Sequence, residues 1–166
     1  MKLSDPKIGG TIAVIVLVVA VVLAVSRGGD TGPTYRTVEQ IYFYDLGEKK
    51  LYGTDPKTLS PVDAPSGFKT PEGEPGGVRA YVFGCGDCKE HFIGYLQKYT
   101  PEGKKMLESG DERAIYKINP HVRVRAAEDG EWLLGESDEG KKVIGSSTSK
   151  CPKGVRVMPC NPALND

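Results

Sequence analysis

Ile8 to Val25 is an unbroken run of 18 residues with no charge, no proline and no amide. As a helix it would reach about 27 Å, close to the ~30 Å hydrocarbon core of a bilayer. The run is rich in Val and Ile, which in water suits a buried strand. In lipid every backbone group must be satisfied within the segment, so helix wins. Lys2 and Lys7 before it place the short N-terminus in the cytoplasm and the long remainder outside. The pattern predicts a cytoplasmic segment 1–7, a transmembrane helix 8–26, a Gly-rich linker 27–37 and an exported domain 38–166. Two other readings use the same residues. Ala24-Val25-Ser26 has the small residues of a signal-peptide cleavage site. Lys7-Ile8-Gly9-Gly10-Thr11 resembles a prepilin leader, which would make the chain a pilin-like subunit processed near Gly10.

Beyond the linker the periodicity shortens. Gln40 to Leu46 is rich in strand formers, Gly47-Glu48-Lys49 is a turn, and Lys50 to Gly53 returns, which predicts a β-hairpin. Both faces of its first strand carry apolar bulk. Thr54 to Gly77 holds five prolines, which remove donors and forbid a regular ladder; two readings are open, a functional or disordered loop and an extended strap ordered over the sheet. Val78 to Phe83 alternates as a strand and runs into Cys85. Phe92, Tyr95, Leu96 and Tyr99 stand at i, i+3, i+4 and i+7, the stripe of an amphipathic helix. Thr100-Pro101 starts a short helix to Glu108. Ala114 to Ile118 reads as a strand stopped by Asn119-Pro120. His121 to Ala126 alternates again, and a turn at Asp129-Gly130 leads into Glu131 to Leu134 as a second hairpin. Arg123 and Arg125 read as a solvated face. Ser137 caps a short helix over Asp138 to Ile144, and Gly145 to Ser149 is polar loop. The fold class is therefore α+β, one small and mostly antiparallel sheet with short helices.

Charge narrows the partners. Beyond Ser26 there are 20 basic and 21 acidic residues. That balance lacks the basic surplus of a nucleic-acid footprint. The 21 Gly and 12 Pro are aperiodic, so they mean loops rather than a fibrous repeat.

The candidate chemistry is in Cys85, Cys88, Cys151 and Cys160. Cys85-Gly86-Asp87-Cys88 has knuckle spacing, and two thiolates so placed can point at one tetrahedral zinc, with Cys151 and Cys160 completing the site. His91 is a further possible ligand. Outside the cytoplasm an even cysteine count favours disulfides, with three pairings open. A bridge from Cys85 to either late cysteine would close a loop of roughly 65–75 residues, for about 4 kcal/mol. Strand, Cys-x-x-Cys, helix also resembles the active-site turn of thioredoxin-like oxidoreductases, with Cys85 and Cys88 as the thiol pair. In the first two readings the cysteines staple the end of the chain to the central strand.

Phosphate loops, nucleophile elbows, zincin motifs and calcium loops are missing from the sequence. Taken together, the hairpin Ile41 to Tyr52, the segment Pro61 to Pro65, the strand and knuckle Val78 to Cys88, the segment Phe92 to Thr100 and the Cys151/Cys160 tail resemble a family of uncharacterised bacterial single-pass membrane proteins with an exported four-cysteine domain. That resemblance implies an inner-membrane anchor with the C-terminal domain in the periplasm, and it brings no catalytic residues. The expected role is a non-enzymatic accessory or scaffold subunit of an envelope protein assembly. Membrane lipid and other envelope proteins are the expected partners, with no nucleic acid and no evident small-molecule substrate. The aromatic hairpin and the Pro-rich strap are the expected contact surfaces.

Overall fold

The computed structural model describes residues 39–128 and 130–162, all within one unit of the chain, Val38–Asp166. The apolar run Ile8 to Val25, its flanks, the linker and the processing site near Gly10 lie outside the described residues. Among those described, no helix is long and apolar enough to cross a membrane.

The described chain forms β1 (Ile41–Asp45), β2 (Lys50–Thr54), β3 (Gly77–Cys85), β4 (His91–Tyr99), α1 (Pro101–Glu108), α2 (Ala114–Lys117), β5 (Val122–Arg125), β6 (Leu133–Leu134), α3 (Asp138–Ser146) and β7 (Val157–Cys160). Short 3-10 turns follow α2 and α3. Every strand pairing is antiparallel, in the order β2-β1-β3-β4-β5-β6. β3 is the organising strand. β4 lies along one of its sides. On the other side two strands follow each other: β1 opposite Gly77 to Arg79 and β7 opposite Val82 to Cys85. The result is the small antiparallel sheet with short helices that the patterning predicts.

Alternation along β3 defines two faces. One carries the core cluster Tyr44, Val78, Ala80, Val82, Leu96 and Cys160, with Trp132 and Ile93 packed against it. The other carries Phe43 and Val124, both fully buried. There α3 lies over β4, β5 and β6, with Ile144 beside Val122 and Val124.

The first hairpin, the β3 strand and the β5–β6 hairpin form where expected. Both caps do too: Thr100 Oγ1 accepts from Gly103 N at 3.2 Å, and Ser137 Oγ accepts from Gly140 N at 3.0 Å. Three elements differ from expectation. Phe92 to Tyr99 is strand β4, not a helix. The register shifts so that Tyr81 faces Tyr95 and Val82 faces Ile93, leaving Gly94 as an extra residue. A one-residue bulge puts positions three apart on one face. Phe92 and Tyr95 thus share a face, as do Ile93 and Leu96, which imitates helical spacing. Gly94 is close-fitted: a Cβ there would stand 2.6 Å from the Phe83 ring and 2.7 Å from Ser147.

Ala114 to Lys117 is helix α2, not a strand. The inward positions are Ala114 and half-buried Ile118, four apart, while Ile115 and Tyr116 are exposed. Asp111 starts this turn by accepting from Arg113 N at 2.9 Å through its side chain. Ser147–Ser149 continues α3 as a 3-10 turn instead of opening into loop. The tail strand β7 forms only because β3 extends past the end of β1 and offers a free edge.

Candidate functional site

Cys85 ends β3 and Cys160 ends β7, but the register sets Cys85 opposite Val157 and Cys160 opposite Val82. The two therefore do not bond to each other. Cys85 bonds to Cys151 (Cα–Cα 5.5 Å), and Cys88, carried back by the turn, bonds to Cys160 (Cα–Cα 5.7 Å). Gly86 N donates to Arg156 O at 2.8 Å and extends the β3–β7 ladder beyond the first bridge. Gly84 makes the turn possible, because the Asp87 carbonyl occupies the space a Cβ would fill. Gly86, at φ +82°, adopts the left-handed conformation that reverses the chain.

This arrangement corrects the zinc expectation for Cys85, Cys88, Cys151 and Cys160. A zinc site built on cysteines needs thiolates, and all four sulfurs are spent in two disulfides, so zinc is not supported. His91 is exposed and stacks on Tyr42, with ring centroids 5.8 Å apart. Among the described residues no group of three or more His, Cys, Asp or Glu could hold a metal ion. The thioredoxin-like layout also differs from what forms. Cys85 and Cys88 bond to separate partners, and strand β4, not a helix N-terminus, follows them. The staple common to the zinc and disulfide readings is present. The tail is tied to the central strand across 66 and 72 residues of sequence.

At the opposite end of the sheet the Pro-rich segment is held without covalent bonds. Ser60 wedges between the start of β3 and the end of β4. Its hydroxyl accepts from Arg79 N at 3.2 Å and donates to Gln97 O at 3.0 Å, bridging two groups of facing residues. Its carbonyl accepts from Tyr99 N at 3.1 Å, and Val62 pairs with Gly77. Ser60-Pro61 is a cis peptide, and the Pro61 carbonyl accepts from Lys104 Nζ at 2.6 Å. Of the two readings open for this segment, the ordered strap is the one that forms.

Asp45 joins this strap to the first hairpin. The residue is 1% exposed. Its carboxylate accepts from Gly47 N at 2.8 Å, Glu48 N at 3.2 Å, Ser66 N at 2.9 Å and Ser66 Oγ at 2.7 Å. Burial by itself would raise its pKa. The bonds from Ser66, Glu48 and Gly47 outweigh burial and leave it below the ordinary value of 3.8.

The strap and the two hairpins enclose a cleft of about 330 Å³. Leu46 and Lys49 come from the first hairpin, Phe68 and Glu72 from the strap, and Arg125 and Trp132 from the second hairpin. Phe68 is 40% exposed. Trp132 packs on the core cluster, with Lys98 Nζ 4.9 Å and the Arg125 guanidinium 5.1 Å from its ring centroid. Lys98 also pairs with Glu74, which fixes the strap over this face. Leu96 pairs with Arg125, and Lys98 lies two residues beyond Leu96 on β4. Both cations therefore rise from one sheet face. Arg125 is half-buried against the indole, so the expected solvated face of Arg123 and Arg125 is solvated only in part.

The hairpin and the strap are the contact surfaces expected from sequence, and the structure brings them to a single cleft. Sequence reasoning missed Trp132, Phe68 and Lys98. The available signal was the single tryptophan of the chain, placed just after a turn.

On the opposite face of the sheet, Tyr81 and Tyr95 stack at 4.4 Å, and Phe83 packs at 6.4 Å from Tyr95. Burial, and then the neighbouring Tyr81, raise the Tyr95 pKa well above that of a free phenol. These rings act as packing.

No protein family, curated protein or solved structure matches this chain.

Proposed function

We propose that this chain is a membrane-tethered, non-enzymatic binding subunit of the bacterial envelope, an accessory or scaffold component whose contact surface is the cleft between the two hairpins and the strap. The observation that carries the reading is the construction of that cleft. Three segments far apart in sequence meet there. Each is immobilised by a device of its own: the Asp45 bonds, the Glu74–Lys98 pair, and the packing of Trp132 on the core. Such pre-organisation reduces the ordering cost of binding.

Two further features support the location. Two disulfides persist in oxidising compartments rather than in the cytoplasm. The uncharged run Ile8 to Val25 has the length and composition of a bilayer anchor. The resemblance to bacterial single-pass membrane proteins agrees with both.

The experiment is site-specific photocrosslinking of the full chain in bacterial cells, with the photoreactive residue at Phe68, Lys49 or Glu139. Adducts at positions 68 and 49 but not at 139, on α3, are expected. External protease should reach the C-terminal portion once the outer membrane is opened. Absence of adducts at both cleft positions, or a C-terminal portion shielded from protease, overturns the reading.

A further inference from the structure

We propose that the cleft is a saccharide-binding site that takes a neutral, hydroxyl-rich ring. This deepens the reading above, because it names the ligand class of the same site.

The first ground is shape and lining. At about 330 Å³ the cleft lies in the range of small-ligand sites, which pair aromatic surface with a few convergent polar groups. Exposed Phe68, and the part of Trp132 that the core, Lys98 and Arg125 leave open, supply apolar surface on two different walls. A pyranose ring has an apolar C–H face and a hydroxyl rim, so it needs both kinds of surface at once.

The second ground is charge. Lys49 and Arg125 line the cleft together with Glu72 and Glu128, two cations with two carboxylates. A phosphate or carboxylate ligand would meet both glutamates. A cationic ligand would meet the lysine and the arginine. A hydroxyl both donates and accepts, so carboxylate acceptors and guanidinium or ammonium donors satisfy it equally.

The third ground is the backbone. The strands behind the cleft, β1 and β5, are interior strands paired on both sides. They present side chains to the cleft and no unpaired edge of their own; the open edge nearest Trp132 belongs to β6, which is two residues long. An extended peptide adding itself to the sheet as a strand would have only those two residues to pair with.

Trp132 is the only tryptophan of the chain, so its emission reports on this site alone. The full chain is kept in a detergent without a sugar headgroup and titrated with N,N′-diacetylchitobiose and with maltose. Inorganic phosphate and a tetraproline peptide are titrated in parallel. A saturable change with at least one disaccharide, and none with phosphate or peptide, is expected. Glu72→Gln and Glu128→Gln, both at exposed positions, should each weaken binding about tenfold, the loss of one hydrogen bond to a charged group. Glu139→Gln should leave it unchanged. Calorimetry on the same samples detects binding that leaves the emission unaltered. The proposal is overturned if neither disaccharide registers by either method up to about 50 mM, well past the weakest affinity of a specific site. It is overturned equally by a response confined to phosphate or peptide, or by one indifferent to both glutamate substitutions. Crosslinked adducts at positions 68 and 49 together with a failed saccharide titration would remove the ligand class and leave the binding subunit standing.

Discussion

The two ends of the β3–β4 pair solve one problem in opposite ways. Each must hold an irregular segment that cannot hold itself by a long ladder. At the Cys85 end the tail and the turn are fixed by two disulfides and four residues of β7. At the Gly77 end the strap is fixed by the Ser60 wedge, the Val62–Gly77 bridge and the buried Asp45 carboxylate. In the chain-entropy view the covalent end gains its stability by restricting the unfolded chain. The strap end gains it from native hydrogen bonds that exist only when the geometry is right. The first should therefore respond to reductant and the second to acid and to single side-chain deletions.

The largest effect that could break this contrast is loss of a covalent ring closure. Replacing Cys88 and Cys160 together by Ala leaves Cys85–Cys151 to close the long loop, so it opens a ring of about 14 residues that runs through that bond and should cost about 3 kcal/mol in urea unfolding of the full chain. A loss under about 1 kcal/mol would mean that the β7 ladder and the Cys85–Cys151 bond hold the tail without the second bond.

Asp45→Ala comes next, at about 2–3 kcal/mol, because it deletes a buried acceptor and strands the donors of Ser66, Gly47 and Glu48. This end also has a pH signature. The folded pKa of Asp45 lies below 3.8. Its contribution is thus fully present above that value and is lost as pH falls through the folded pKa. An acid titration of stability should show this limb in the native chain and lack it in Asp45→Asn. The disulfide end should be indifferent over the same range.

Ser60→Ala should cost about 1–2 kcal/mol, since Arg79 N–H and Gln97 C=O lose the hydroxyl that bridges them. Smallest is Glu74→Gln. It removes a partly buried ion pair with Lys98, for about 1 kcal/mol or less. Its use is to sharpen the comparison within the strap, by showing how much of the hold comes from charge rather than from hydrogen bonds to the sheet.

Much of this molecule was legible from local pattern. The first hairpin and the α1 and α3 caps each depend on residues within a few positions of each other, and the β3 strand shows in its own alternation. Thr100 and Ser137 satisfy the first turns of their own helices wherever the rest of the chain lies. The misreadings occurred where a distant partner decided the outcome. Phe92 to Tyr99 is a strand because β3 pairs with it, and the bulge at Gly94 disguised its period. Ala114 to Ile118 has the composition of a strand, but no neighbouring edge is offered to it, so it closes into a helical turn.

By itself the sequence determined that four cysteines would staple a small antiparallel domain and that a long five-proline segment would form no regular ladder. It also contained the uncharged apolar run Ile8 to Val25. Only the tertiary structure decided that Cys85 takes Cys151 and Cys88 takes Cys160, because β7 finds the edge that β1 leaves uncovered. Only it gathered Trp132, Phe68 and Lys49 around one cleft. Capping and turn signals act over three or four residues and are written in the chain. Disulfide pairing and cleft formation depend on contacts between segments tens of residues apart, which exist only once the sheet has set their register.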